Sequence, residues 1–247
     1  MPHFYVKPED ITNKIFTISG EQAHYLSDVR RFKTNDEIMI FDGIGNSYEA
    51  KITSISKNEI VGNILSSFHK TPDFVINLYI STPKSHRFEW LIEKCAEIGV
   101  SEIVPIFTKR SINVNFSKNK AARYEKISIA ASSQCQRNDI MKINSPLDFK
   151  TACKNAIVNK KFINILPWES EHENILNNLP VESTSTGANV FIGPEGGFEN
   201  EEVEFAKSLG IHTITLGNNI LRIETAAIAA SILLLNFQKS IRQNQNS

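Results

Sequence analysis

The sequence has few cysteines and contains no long apolar segment. Its three cysteines, Cys95, Cys135 and Cys153, are widely spaced and odd in number, which fits neither a disulfide framework nor a zinc site. No run approaches the roughly eighteen apolar residues of a membrane helix, and the amino terminus lacks the basic-then-apolar layout of a signal peptide. We therefore expect a cytoplasmic protein with reduced thiols and no membrane partner.

The chain also has no excess of charge of either sign. Its 27 basic and 27 acidic residues give a net charge of zero, so nucleic acid would have to bind through local basic patches. The six histidines are scattered without the paired spacing of metal ligands, and we predict no metal site.

The motifs of several common enzyme classes are missing. No GxGxxG follows the first strand of an α/β pattern, which argues against a dinucleotide-binding enzyme. The sequence has no GxxxxGK[ST], GxSxG or HExxH, so P-loop, α/β-hydrolase and zincin chemistry are not expected either.

Residues 1–72 are predicted to form a compact β-barrel domain. A short helix is expected over 20–29, because Ser19 and Gln22 have capping-box spacing and apolar residues then recur at helical intervals. Alternating apolar positions predict strands over 37–41, 47–55 and 59–68. Short strands with tight turns and one helix favour a small barrel.

Residues 73–247 alternate predicted strands with predicted helices. The strands are expected over 75–80, 102–107, 162–166, 190–192 and 213–216. Helices are expected over 88–98, 117–136 and 225–237, and another begins with the acidic residues near 200. This order predicts an α/β fold with a parallel sheet covered by helices on both faces.

Two loops in the last third of the sequence are the best candidates for a ligand site. The first, 193–197, is so poor in side chains that a ligand can approach its backbone. Glu199, Glu201 and Glu202 then occupy the helical turn where a phosphate would bind, which favours a neutral or cationic ligand. The second loop, 217–224, follows the next strand. Because parallel strands end at the same edge of a sheet, we expect both loops to border one pocket.

These loops carry motifs that resemble those of a known family. IGPEGGF at 192–198 and LGNNILRIETAAIAA at 216–230 resemble the paired C-terminal motifs of the SPOUT-class methyltransferases. More narrowly, they resemble the RsmE-type enzymes, which methylate N3 of a uridine in 16S ribosomal RNA (rRNA). FDGIG at 41–45, WLIEKCAEIG at 90–99 and KRS at 109–111 fit the same family in order and spacing.

The resemblance implies a fold and a set of partners. It implies a SPOUT α/β domain with a deep trefoil knot over 73–247 and a PUA-like RNA-binding β-barrel over 1–72. The residues alone would predict an unthreaded sheet, because knots are nearly absent from protein folds. The resemblance further implies S-adenosylmethionine (SAM) as cofactor, 16S rRNA within the small ribosomal subunit as substrate, and a homodimer with a shared active site.

SAM would suit the predicted pocket, since its sulfonium is cationic and its adenine fits an apolar slot. By resemblance, the cofactor-binding residues are Leu166, Pro167, Trp168, Ile192, Gly193, Pro194, Gly196, Gly197, Leu216, Gly217, Asn219, Ile220, Leu221 and Arg222. Alternatively, the side chains of Leu166, Ile192 and Leu216 belong to the core, which is compatible with backbone contact to adenine.

Methyl transfer to N3 of uracil requires the loss of one proton, and the resulting charge spreads onto the flanking carbonyl oxygens. Arg222 is the candidate residue for stabilising that negative charge. It lies in the second loop, and its planar guanidinium could hydrogen-bond to a uracil edge or a phosphate. Glu195 and Glu224 are candidate catalytic bases. Either could instead cap a loop or pair with Arg222.

Several basic residues match RNA-contacting positions of the family. They are Arg30, Arg31, Lys84, Arg87, Lys94, Arg110 and Arg137. Phosphate contacts of this kind fix position and carry affinity. Alternatively, Arg30 and Arg31 form a solvated helix end, and Lys94 pairs with a glutamate on its own helix.

The chain departs from the family pattern at the helix after the glycine loop. Glu199 stands where relatives often have a serine or threonine cap, which predicts a weaker helix start. A competing function is an RNA-binding assembly factor that keeps the fold but has lost catalysis. Affinity for SAM would separate the two.

Overall fold

The structure is a computed structural model and describes residues 2–83, 85–111, 116–179 and 184–245. Residue contacts divide the chain into two compact units, Met1–Thr71 with Ile129–Ile140 and Pro72–Ser128 with Met141–Ser247. The sequence-based division left 129–140 in the second domain, whereas the contacts group it with the first unit. The N–H of Ile140 donates to the carbonyl of Gly43, and the N–H of Gly45 to that of Asn138, both at 3.0 Å.

The first unit is built on a six-stranded sheet. Its strands are β1 (His3–Tyr5), β2 (Ile11–Thr12), β3 (Ile15–Ser19), β4 (Glu37–Phe41), β5 (Asn46–Ile55) and β6 (Glu59–His69). They are ordered β1-β4-β5-β6-β3-β2, and every pairing is antiparallel except that of β1 with β4. Alternate residues such as Ile38 and Ile40 are fully buried, so one face of the sheet covers the core. The strands predicted from sequence correspond to β4, β5 and β6.

A short helical segment follows β3. Helix α1 (Glu21–His24) continues into a π-helical turn, Tyr25–Val29, within the predicted range. The predicted capping box is wrong, because Gly20 precedes the helix and no side chain caps it. Gly20 has a φ of 67°, which favours glycine. The side chain of Gln22 instead donates to the carbonyl of Tyr5.

The second unit alternates strands and helices. Its strands are β7 (Val75–Ile80), β8 (Glu102–Phe107), β9 (Lys142–Ile143), β10 (Leu147–Asp148), β11 (Phe162–Pro167), β12 (Gly187–Ile192) and β13 (His212–Ile214). Its helices are α2 (Ser85–Ile98), α3 (Lys118–Gln134, which extends into the segment grouped with the first unit), α4 (Phe149–Ala156), α5 (Asn200–Ser208) and α6 (Ile223–Gln245). None of the described helices is long and apolar enough to cross a membrane.

The predicted parallel sheet is confirmed. Its strands are ordered β10-β8-β7-β12-β11-β13 with β9 beside β8, and every pairing is parallel. All residues of β12 are buried, as expected for a strand covered on both faces. Helices α4 and α5 pack on the sheet through Phe149 and Val203, which share a core cluster with Phe191 of β12. Helix α6 packs against β7, β12 and α2.

Candidate active site

Three loops line one pocket at the carboxyl edge of the parallel sheet. They follow β11, β12 and β13, which are neighbours in the sheet, so the loops begin side by side. The pocket has a volume of about 500 Å³. It is lined by Pro167, Trp168 and Glu169 at the end of β11, by 192–198 at the end of β12, and by 215–217, 219–223 and Ala226 from the third loop and the first turn of α6.

The first loop is tied to β13 by Glu171. Its carboxylate accepts hydrogen bonds from the hydroxyl of Thr213 at 2.7 Å and from the side-chain amide of Asn174 at 2.9 Å. The bond from Thr213, followed by that from Asn174, lowers the pKa of Glu171 to about 2. The N–H of Trp168 also donates to the carbonyl of Ile214 at 3.0 Å. Both contacts hold the first loop against β13.

The glycine loop, residues 193–197, is a tight turn in which two of the glycines lie close to neighbouring side chains. The N–H of Gly197 donates to the carbonyl of Pro194 at 2.9 Å, and Gly197 has a φ of 70°. A Cβ at Gly197 would overlap the carboxylate of Glu169, and one at Gly193 would lie 3.0 Å from the ring of Phe198. Glycine is therefore favoured at 197 by its left-handed φ and at 193 by the close ring of Phe198.

Helix α5 begins at a buried carboxylate. Glu202 accepts hydrogen bonds from the N–H of Glu199 at 3.0 Å and from the N–H of Lys109 at 2.9 Å. The helix start is therefore capped by Glu202, contrary to the weak cap expected from Glu199. The Nζ of Lys109 lies 2.6 Å from Glu201 and 3.2 Å from Glu199, and these hydrogen bonds raise the pKa of Lys109.

The third loop brings Arg222 to the pocket. The N–H of Gly217, whose φ is 119°, donates to the hydroxyl of Thr215 at 3.2 Å. The exposed Arg222 stands one residue before α6, and its carbonyl accepts from the N–H of Ala226 at 2.8 Å. Ile220 also lines the pocket although it is 87% exposed.

The structure brings together all of the predicted cofactor-binding residues except Leu166. The side chain of Leu166 is fully buried in the core cluster beneath the sheet and does not line the pocket. Sequence reasoning missed five lining residues: Glu169, Phe198, Thr215, Ile223 and Ala226. Each is within four residues of a predicted one, but nothing in the sequence distinguishes the neighbours that turn inward.

The two candidate bases differ in position. Glu195 lines the pocket, and its Oε1 lies 3.9 Å from Nη1 of Arg87. Glu224 lies in the first turn of α6 and is not among the lining residues. Its Oε2 is buried and has no hydrogen-bond partner among the described residues.

The predicted RNA contacts are found in different environments. In the second unit, Arg110 donates to the carbonyl of Gly196 at 2.7 Å, and Lys94 lies 2.8 Å from both Glu93 and Glu97, as in the alternative interpretation. Lys84 lies outside the described residues.

In the first unit, Arg30 and Arg31 are exposed at the end of the helical segment. Arg137, whose side chain is only 11% exposed, lies 2.7 Å from Asp139. Within the described ranges, no group of three or more His, Cys, Asp or Glu residues could hold a metal ion.

Comparison with known proteins identifies the family. Residues 70–235 match the RNA methyltransferase domain, and residues 18–65 match the RNA methyltransferase PUA domain. The chain is similar to the ribosomal RNA small subunit methyltransferase E of Buchnera aphidicola, at 32% identity over 236 residues that cover 93% of this chain and 91% of that relative. The protein of the same name from Mesomycoplasma hyopneumoniae is 37% identical over 181 residues, which cover 72% and 75% of the two chains.

A solved structure supports the same assignment. The ribosomal RNA small subunit methyltransferase E of Neisseria gonorrhoeae, bound to S-adenosyl methionine, superposes with a TM-score of 0.85. It is 26% identical, with coverage of 96% of this chain and 97% of that one. These matches confirm the predicted resemblance and fold class, and the chain therefore belongs to the RNA methyltransferase family, among the small-subunit ribosomal RNA methyltransferases E.

Proposed function

We propose that this protein is a SAM-dependent methyltransferase that acts on N3 of a uridine in the 16S rRNA of the small ribosomal subunit. The observation that carries the proposal is the single pocket of about 500 Å³ between the loops that follow three adjacent parallel strands. The names of the relatives and the SAM bound to the Neisseria protein support the reaction class. The uridine and its N3 atom come from the motif resemblance, and a ribosomal substrate supports the proposal of a cytoplasmic location.

The pocket suits SAM in shape and charge. Gly193, Gly196 and Gly197 leave the main chain open to a ligand, and Ile192, Leu216 and Leu221 offer apolar surface for adenine. Glu169 and Glu195 add negative charge, which favours a sulfonium cation. When bound, SAM supplies an electrophilic methyl group. The remaining residues proposed to hold it are Pro167, Trp168, Pro194, Gly217, Asn219, Ile220 and Arg222, the last through its main chain and not its guanidinium.

Arg222 is the proposed electrostatic catalyst. Among the described residues it is the one cationic side chain that lines the pocket. When uracil N3 loses its proton, the charge that spreads onto the neighbouring carbonyl oxygens would be stabilised by the guanidinium. The methyl group of SAM and the N3 atom of uracil need only be aligned by the protein, because methyl transfer is an in-line displacement.

Glu195 is the better placed of the two candidate bases. It lines the pocket, whereas Glu224 does not. Glu224 is better suited to a structural role at the start of α6.

The RNA would be bound outside the pocket by basic side chains of both units. The proposed contacts are Arg30, Arg31, Lys84, Arg87, Lys94 and Arg137. We also propose that the protein is a homodimer, and the exposed apolar residue Ile220 in the pocket lining supports a site completed by a second chain.

Methylation of small subunits from cells that lack this gene tests the function. The subunits are incubated with the protein and methyl-labelled SAM, and the rRNA is digested to nucleosides for mass spectrometry. We expect label in 3-methyluridine. Arg222→Ala should lower kcat by on the order of 10²–10³-fold with little change in the Kd of SAM, because it removes charge stabilisation made in the transition state.

Arg123→Ala is the matched control, since Arg123 is an exposed arginine paired with Glu89 and does not line the pocket. It should retain normal turnover. Label in another nucleoside, or near-normal turnover of Arg222→Ala, would contradict the proposal. A protein that binds SAM and rRNA without transferring the methyl group would be an assembly factor instead.

A further inference from the structure

The loop after β8 contacts the glycine loop through a residue that the sequence assigned to RNA. This loop, Thr108 to Ser111, is itself held in place by the hydroxyl of Ser111. That oxygen accepts from the N–H of Thr108 at 2.8 Å and lies 3.0 Å from the hydroxyl of Ser81. The side chains of Lys109 and Arg110 are therefore presented from a fixed backbone.

Arg110 lies against the middle of the glycine loop. Its Nη1 donates to the carbonyl of Gly196 at 2.7 Å, and its Nε lies 3.6 Å from the carboxylate of Glu199. The Cδ of Arg110 lies 3.4 Å from the position of a Cβ on Gly196. The arginine stem thus covers the bare Cα of Gly196 while the guanidinium binds its carbonyl.

The hydrogen bond from Arg110 restrains the peptide group between Gly196 and Gly197. The carbonyl of Gly196 and the N–H of Gly197 belong to the same peptide bond, and the N–H donates to the carbonyl of Pro194 at 2.9 Å. Both polar ends of the peptide are therefore held by the protein. Two successive glycines lose much conformational entropy when they are ordered, and the charge-assisted hydrogen bond from Arg110 helps to offset that loss.

Lys109 provides the comparison, because it is the adjacent cation and makes different contacts. Its Nζ binds Glu199 and Glu201 at the start of α5, and no contact of its side chain with the glycine loop carbonyls is present among the described residues. The two side chains are equally accessible, at 51% for Lys109 and 49% for Arg110. Both touch Glu199, so they differ chiefly in the bond to Gly196.

We propose that Arg110 is a positioning residue of the donor pocket, which holds the Gly196–Gly197 peptide in the orientation that SAM requires. The proposal rests on the proposed function, since it concerns how the same pocket is ordered. It replaces the interpretation of Arg110 as an RNA contact. The guanidinium acts on SAM only through the peptide that it holds.

Calorimetric titration of SAM in the absence of RNA tests the proposal. Arg110→Ala should raise the Kd of SAM about tenfold, which corresponds to about 1.4 kcal/mol. Arg110→Lys should recover part of that loss, because a lysine can still donate to the carbonyl. Lys109→Ala should stay within about twofold of the unchanged protein. Equal Kd values for Arg110→Ala and the unchanged protein, or equal losses for Arg110→Ala and Lys109→Ala, would overturn the proposal.

Two further measurements separate this proposal from its alternatives. If Arg110 is an RNA contact, Arg110→Ala weakens rRNA binding and leaves the Kd of SAM unchanged, which also overturns the proposal. If the unchanged protein has no affinity for SAM, the proposed function fails instead. Amide hydrogen exchange without ligand then decides the role of Arg110, since the amide of Gly197 should exchange faster in Arg110→Ala than in Lys109→Ala.

Discussion

Three asparagines lie side by side on adjacent strands at the centre of the parallel sheet. Asn77, Asn189 and Asn164 are in register on β7, β12 and β11. The amide of Asn77 donates to Asn189 at 3.0 Å, and the amide of Asn189 donates to Asn164 at 2.8 Å and to the carbonyl of Ala156 at 2.9 Å. Because a slip of one residue would separate these buried groups, the ladder fixes the register of the strands that carry the pocket loops.

Removal of the central amide should destabilise the second unit. Asn189→Ala leaves polar groups of Asn77, Asn164 and Ala156 without their partner, and we expect the free energy of unfolding to fall by about 3 kcal/mol. Urea unfolding followed by tryptophan fluorescence reports on this unit, which contains both tryptophans. The exposed Asn155→Ala should change the free energy by less than about 0.5 kcal/mol. Similar losses for the two variants would show that the ladder contributes little.

Individual site residues were predictable where the backbone imposes the requirement. The glycines of the loop after β12 were recognisable, because a left-handed φ favours glycine at 197 and the close ring of Phe198 favours it at 193. The partner of Arg110 was not predictable, since the arginine and Gly196 are 86 residues apart and meet only through the sheet. Likewise, no sequence signal distinguishes the buried side chain of Leu166 from the pocket-lining Pro167 beside it.

Long elements with regular periodicity were predictable from sequence. The bounds of β4, β7 and β8 agree with the predicted strands, because their apolar residues form clear patterns. Within the second unit, the prediction omitted α4, β9 and β10. Each of those strands has two residues and α4 has eight, so none contains enough turns or alternations to produce a period. Helix α6 also continues to Gln245, well past the predicted end at 237, since each added residue gains a backbone hydrogen bond.

We expect the proposed homodimer to form through exposed apolar residues of α6. Ile232 and Leu233 are large apolar residues on this helix that are nearly half exposed, and α2, which packs against α6, exposes Trp90 to a similar extent. Light scattering should give a mass twice that of the 27.8 kDa chain. The double change Ile232→Asp and Leu233→Asp should give the mass of a single chain, because two charges cannot be buried in an apolar interface.

Val158→Asp controls for the added charge. Val158 is also an exposed apolar residue, but it lies after α4. This variant should keep the doubled mass. A single-chain mass for the unchanged protein, or a doubled mass for the α6 variant, would rule out this dimer.

Two features of the whole molecule could not be predicted from local sequence patterns. The grouping of 129–140 with the first unit depends on backbone pairing with Gly43 and Gly45, about a hundred residues away, for which local patterns give no signal. The trefoil knot stays a prediction from the resemblance, since it concerns how the chain is threaded and leaves no trace in periodicity. The parallel sheet and the meeting of two loops at its edge followed from the order of strands and helices, whereas the third loop, after β11, was implied by the resemblance.

Binding of SAM requires these three loops to form one pocket, and the affinity of glycine variants for SAM tests this requirement most directly. A Cβ at Gly197 would displace the exposed carboxylate of Glu169, which also lines the pocket, whereas a Cβ at Gly210 meets no atom within 4 Å. Both glycines have a left-handed φ, of 70° and 82°, so alanine strains the backbone similarly at each. Only the substitution at Gly197 should disturb the pocket.

Calorimetric titration of SAM into the unchanged protein, Gly197→Ala and Gly210→Ala measures the three Kd values and tests whether the loops form the SAM pocket. The unchanged protein should bind one SAM per chain. Gly197→Ala should raise the Kd at least tenfold, about 1.4 kcal/mol, while Gly210→Ala stays within about twofold. The absence of SAM binding by the unchanged protein, or an unaltered Kd for Gly197→Ala, would contradict the account.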